Sequence, residues 1–170
     1  MANELADMIK NVFSDATILT FAKMTSVELT PAPAVAQSGA DGADVHGVPQ
    51  FDLSAVIGFT GDLVGNCALR LSSETAQEAI TRLAGETIDS TFEIADGVGE
   101  LVNMIAGNAK AALQDRSISL SFPEVIRGKG HEIGFYRHPS VIGIDYTSEI
   151  GKISVVVAFS GKTDAITEER

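Results

Sequence analysis

The 170-residue chain has a single cysteine and only 12 Lys plus Arg against 23 Asp plus Glu. One cysteine, Cys67, excludes an internal disulfide, and without a Cys/His cluster no structural zinc is expected; both point to a reducing compartment. The shortage of basic residues leaves a formal net charge of −11. Nonspecific nucleic-acid binding needs an excess of Lys and Arg to displace counterions from phosphates, so nucleic acid is not an expected partner. The same sign argues against a polybasic membrane surface. No run reaches the roughly 18 apolar residues of a membrane span. The segment Met1–Lys10 has no basic region leading into an apolar run, so neither a signal peptide nor membrane insertion is expected and the localisation expected is cytoplasmic. The glycines between Gly58 and Gly65 lack the Gly-Lys-Ser/Thr ending of a phosphate loop, and Gly97 and Gly99 lie inside a helical pattern.

What is present is a core. At 45% hydrophobic residues the chain is too apolar for a disordered acidic tail, and its length suits one domain over residues 1–170. Leu5, Met8, Ile9, Val12, Phe13, Ala16 and Leu19 recur at spacings of three and four, which predicts an amphipathic helix from Glu4 to Ala22. Thr25 to Thr30 is expected as a short strand ended by Pro31 and Pro33, and residues 31–50 as a long surface loop rich in Gly, Pro and small residues. Phe51 to Thr60 and Leu63 to Leu71, separated by Gly61-Asp62, read as a hairpin. Ser72 or Ser73 caps a helix that stops at Gly85. A longer helix follows Asp89 or Ser90. Ser117 to Phe122 reads as a strand cut off by Pro123, Gly128-Lys129-Gly130 as a turn, and Ser140 to Asp145 with Lys152 to Ser160 as a second hairpin. Residues 162–170 form a charged tail. Sequential hairpins outnumber strands alternating with helices, which favours an α+β fold with a largely antiparallel sheet over a doubly wound parallel one.

The long helix carries the chemical information. Projected at 100° per residue, Ile94, Val98, Leu101, Val102, Ile105, Ala109, Ala112 and Leu113 share one face. Glu93, Asp96, Glu100, Asn103, Gly107 and Lys110 share the other. Glu100 and Asn103, three apart, stand side by side and point away from the core. A polar stripe is most often just the solvated face of its helix. With 12 Glu and 5 Asn in the chain, chance supplies roughly 0.35 Glu-x-x-Asn pairs, so the pair alone is weak. Gly97, Gly99 and Gly107 strengthen it, because each costs a helix about 0.8 to 1 kcal/mol relative to Ala. Small residues beside the stripe would let a partner backbone approach; close packing within the chain is the alternative for Gly97 and Gly99.

The segment Asp96-Gly-Val-Gly-Glu100-Leu-Val-Asn103-Met-Ile-Ala-Gly107 resembles the Asp/Ser-x3-Glu-x2-Asn signature of the CheC/CheX/FliY chemotaxis phosphatases. No other Glu is followed three residues later by Asn, and a single copy resembles CheX rather than the two-motif CheC type. The family pattern also has a proline roughly twenty residues beyond the Asn, near Pro123. The resemblance, over most of the chain, implies a CheC/CheX-like fold around the motif-bearing helix. It also implies a phosphatase acting on the phosphoaspartate of a CheY-like response regulator. Asn103 would orient the attacking water and Glu100 would pair with a receiver lysine; both are the implied catalytic residues. Asp96, Gly107 and Lys110 would contact the docked partner, although Asp96 also suits a helix start. The resemblance implies no metal or cofactor on this chain, with Mg2+ on the response regulator, and a homodimer formed through the sheets. The apolar strand Ile153 to Phe159 would otherwise expose an edge.

A noncatalytic receiver-binding adaptor of the same fold is the alternative, disfavoured because an adaptor has no need of the water-orienting amide. A purely structural part in a switch-like assembly would call for linker segments that the chain has little room for. His46, His131 and His138 show no metal-ligand spacing and read as surface histidines. Cys67, without a nearby base, reads as a small core residue. Asp41, Asp44 and Asp52 read as solvated loop acids.

Overall fold

The computed structural model describes residues 2–33 and 51–161. The expected loop from residue 34 to 50, with His46, Asp41 and Asp44, and the expected tail 162–170 lie outside the described residues. The elements run α1 (Ala2–Thr25), β1 (Thr30–Pro31), β2 (Leu53–Gly61), β3 (Leu63–Leu71), α2 (Ser73–Ala84), α3 (Thr91–Ala112), β4 (Ile118–Leu120), β5 (Glu124–Arg127), β6 (Ser140–Ser148) and β7 (Gly151–Gly161). The strands form one antiparallel sheet in the order β1-β6-β7-β3-β2-β4, with β5 also paired to β2. The architecture is α+β, as the hairpin-dominated sequence implies. No described helix is long and apolar enough to cross a membrane.

Strand side chains alternate between two faces, and in β2, β3 and β7 the odd-numbered residues are the apolar set. Leu53, Ala55, Ile57 and Phe59, Leu63, Cys67, Leu69 and Leu71, and Ile153, Val155, Val157 and Phe159 are all buried and join the helices in one core. Ile9, Phe13, Ala16 and Phe21 of α1 and Val98, Leu101, Val102 and Ile105 of α3 close it from above. Burial in this core pushes the Cys67 thiol up from its ordinary 9.0 to about 12, the mark of a packed residue rather than a nucleophile.

The opposite sheet face carries a polar row. Register aligns Ser54 with Arg70, Arg70 with Ser154 and Ser154 with Asp145 across four strands. The segment from 128 to 139 is tied to this face at two places. Arg70 Nε donates to Ser54 Oγ at 3.3 Å, and Ser54 Oγ lies 2.7 Å from His131 Nε2. His131 Nδ1 faces the Gly128 carbonyl at 2.7 Å, so Nδ1 carries the proton and, in the neutral ring, Nε2 accepts from Ser54. Arg70 Nη2 reaches the His131 carbonyl at 2.9 Å, and its guanidinium lies 5.0 Å from the Phe51 ring centroid. At the second tie, His138 Nε2 is 3.3 Å from Asn66 Nδ2 and Nδ1 is 3.3 Å from Ser160 Oγ. His131 and His138, expected as ordinary surface histidines, are half-buried and act as cross-braces.

Several further expectations are corrected. The expected strand Thr25 to Thr30 is a helix end and a coil, and the strand is Thr30–Pro31, with Pro31 tolerated because β1 lies at the sheet edge. Leu19 and Ala112 are exposed although the residues that follow them, Thr20 and Phe21 on α1 and Leu113 after α3, are buried, so the two lie at the margins of their helices' buried faces. Asp52 is not merely solvated: its Oδ2 accepts from the Ser73 amide at the start of α2. β7 is paired on both sides, to β3 and β6, so Ile153 to Phe159 presents no free edge. Finally, Pro123 does not finish the strand signal; β5 follows it at once.

The chain from 118 to 127 pairs twice with β2. β4 lies against Phe59–Gly61 and β5 against Leu53–Val56. Between them Ser121 holds the register by donating from its amide to the Gly58 carbonyl (2.8 Å) and accepting from the Gly58 amide on Oγ (2.9 Å). Pro123, lacking an N–H, breaks the ladder there.

Candidate functional site

Ser90 begins α3 by accepting the Glu93 amide on its hydroxyl, 3.4 Å away. The buried side is apolar from Ile94 to Ala109. Two flanks then fix the rotation of the helix. On one, a Cβ at Gly97 would meet Ile80 of α2 at 2.8 Å, so only glycine admits this approach. On the other, Gly99 is buried beside Pro123 and Val125, which would lie 3.8 and 3.4 Å from a Cβ there. Gly97 serves packing within the chain, whereas a Cβ at Gly99 would make only ordinary contacts with its neighbours. Gly107 differs: nothing lies within 4 Å of its Cβ position.

Held in this way, α3 presents Asp96, Glu100, Asn103, Gly107 and Lys110 as one continuous stripe about 21 Å long. Asp96, Glu100 and Lys110 are exposed, and Asn103 is half-buried. Among the described residues, the side chains of Asp96, Glu100, Asn103 and Lys110 make no hydrogen bond or ion pair. All five residues singled out from the sequence are brought together. Two cavities, about 310 Å³ beside Arg127 and Lys129 and about 530 Å³ beside Glu28 and Glu149, include neither Glu100 nor Asn103. Among the described residues there is no group of three or more His, Cys, Asp or Glu placed to hold a metal.

The pair sits on the outward polar face of α3. A carboxamide there can donate and accept without titrating, and can hold a water; a carboxylate can seize a cation at short range. Such a surface fits a substrate that brings its own pocket. Sequence reasoning missed Phe92 and Phe122, which are 77% and 93% exposed; the Phe-Pro pair after a strand pattern was the available signal.

A family model described as chemotaxis phosphatase CheX matches residues 53–147, more than half of the chain, from the start of β2 through α3 into β6. The chain belongs to the CheX family. Its structure is similar to that of chemotaxis protein CheX from Desulfovibrio desulfuricans, with 28% identity, a TM-score of 0.76, and coverage of 89% of this chain and 99% of that one. A CheC-like superfamily protein from Shewanella sp. PV-4 is similar at 26% identity and TM-score 0.77, covering 91% of this chain and 98% of that one. The fold also matches CheX of Borrelia burgdorferi, solved in complex with CheY, BeF3 and Mg2+, at 18% identity and TM-score 0.65 over 88% of this chain and 96% of that one. No curated protein sequence matches the chain significantly. Membership of the CheX family agrees with the α+β sheet and the single motif-bearing helix.

Proposed function

We propose that this chain accelerates hydrolysis of the phosphoaspartate of a CheY-like receiver domain. The observation that carries the reading is the Glu100 and Asn103 pair, adjacent and without partners among the described residues on the outward face of a packed helix. The complex of Borrelia burgdorferi CheX with CheY supports a receiver of that type as the partner. In this reading the receiver provides the phosphoryl group and the Mg2+, and α3 provides the alignment. Asn103 holds a water in line with the phosphorus; the water oxygen bonds to phosphorus as the acyl phosphate P–O bond breaks, returning the aspartate carboxylate and inorganic phosphate. Little covalent chemistry is left for the protein, so positioning and charge stabilisation dominate. Glu100 meets a receiver lysine and fixes the docked register. Asp96, Gly107 and Lys110 extend the contact along the stripe.

The decisive assay follows loss of phosphate from purified phosphorylated CheY. Asn103→Ala is expected to abolish the acceleration while binding persists, and Glu100→Ala to impair both; full activity in both variants overturns the reading. Binding without acceleration by the unaltered chain would instead identify the noncatalytic adaptor. The proposal includes a cytoplasmic homodimer. Among the described residues the outer edge of β6 has only the two-residue β1 beside it, which leaves backbone free to pair with a second copy. Light scattering measures that state directly.

A further inference from the structure

Of the eight phenylalanines, five are core residues, Phe135 is half-buried, and two are exposed exceptions. Phe13, Phe21, Phe51, Phe59 and Phe159 are at most 6% exposed, whereas Phe92 and Phe122 are 77% and 93% exposed. Neither exception is a frayed end. Phe122 sits between Ser121, fixed to Gly58 by two hydrogen bonds, and Pro123, packed beside Gly99. The chain from β4 to β5 runs antiparallel alongside α3. Leu120 shares a small cavity with Ala106 and Lys110, and Pro123 lies by Gly99. Phe122 thus falls between those two levels of the helix, which is the level of Asn103. Phe92 is eleven residues before Asn103, just over three whole turns, so it lies at nearly the same angle about 16 Å away along the axis.

We infer that Phe122, at the level of Asn103, and Phe92, about two turns before Glu100, are apolar anchors that bind the CheY-like receiver beside the Glu100 and Asn103 pair. The inference rests on the function proposed above and names the residues that supply its affinity. Charge supplies little: the chain carries −11 overall, Asp96 and Glu100 lie on the stripe itself, and a receiver's phosphorylation pocket is built of carboxylates, so long-range attraction is absent. A docked complex then needs apolar burial near its centre, and exposed aromatic side chains on rigid backbone supply it at low entropic cost. A footprint of about 800 Å² per partner is wide enough to cover both rings and the stripe between them.

The test measures binding of CheY from the same organism, held active with beryllofluoride and Mg2+, alongside turnover of phosphorylated CheY. Phe122→Ser is expected to weaken binding about tenfold or more and to raise KM with kcat retained at saturating receiver; Phe92→Ser has the same pattern with a smaller loss. Both residues are exposed, so circular dichroism is expected to be unchanged. Unaltered binding in both variants, with the wild-type chain active, overturns the anchors and leaves the Glu100 and Asn103 reading standing. Lost binding in Phe122→Ser together with full activity in Asn103→Ala supports the anchors and overturns the chemistry. A shift from dimer to monomer with receiver affinity unchanged assigns the patch to a second copy and overturns the inference, as does a wild-type chain that binds no CheY.

Discussion

Two sets of polar side chains lie on opposite sides of this molecule and are treated in opposite ways. On the sheet face turned away from the helices, Ser54, Arg70, His131, Asn66, His138 and Ser160 bond to one another and tie the 128–139 segment down. On α3, Asp96, Glu100, Asn103 and Lys110 have no partner among the described residues. A polar group satisfied by its own chain holds the fold together. One left unpaired on a rigid element is available to a second molecule. Composition cannot separate the two sets, since both are ordinary Ser, His, Asn and charged residues; what separates them is their neighbours.

The comparison breaks most visibly at Asn103. Asn103→Ala is expected to lower assisted dephosphorylation by about 10²- to 10³-fold, the loss seen when one positioned polar group leaves a reaction site, while thermal unfolding stays within a degree or two of wild type. A large fall in melting temperature would place Asn103 with the structural set. The converse substitution, Arg70→Met, removes the donor to Ser54 and to the His131 carbonyl. It is expected to cost about 1–3 kcal/mol, a drop of several degrees in Tm for a chain of this size, with phosphatase turnover per folded molecule unchanged. Equilibrium urea unfolding and the CheY assay measured side by side would show whether the two losses separate as stated.

The glycines of α3 give a finer version of the same contrast. Gly97→Ala forces a methyl into Ile80 at 2.8 Å and is expected to destabilise by about 1–2 kcal/mol even after the gain in helix propensity. Gly107→Ala meets nothing and is expected to stabilise by about 0.8–1 kcal/mol; weakened CheY binding in that stabilised variant would mark Gly107 as part of the docking surface. The smallest effect at working pH concerns Cys67. Its folded-state pKa is raised by burial from 9.0 to about 12. The thiol's contribution to stability is therefore complete below pH 9 and is lost as pH rises toward 12. Urea midpoints that fall above pH 9, with a gentler fall in Cys67→Ala, are the expected outcome. At neutral pH the native thiol should resist a disulfide reagent until urea unfolds the chain.

Much of the fold is legible because its signals are local. The caps at Ser72 and Ser90, the stop at Gly85 with φ 74°, and the period of α3 follow from a few neighbouring residues each. The 25–30 segment misleads because α1 continues to Thr25, where tertiary packing of Phe21 and burial of Thr25 override weak strand propensity. β5 is hidden by Pro123, which reads as a terminator but interrupts a ladder that resumes on the same strand. The histidines mislead for a different reason: His131 meets Ser54 across 77 positions and His138 meets Asn66 across 72.

By itself, then, the sequence settled the things that short-range geometry controls: an acidic chain with one long amphipathic helix on which Glu100 and Asn103 stand a single turn apart. A spacing of three on a helix permits no other arrangement. Tertiary structure alone decided that this turn stays free. Whether a side chain is covered depends on which distant strands arrive beside it. Here Ile80 and Pro123 close on the helix at Gly97 and Gly99 and stop short of the stripe between Asp96 and Lys110.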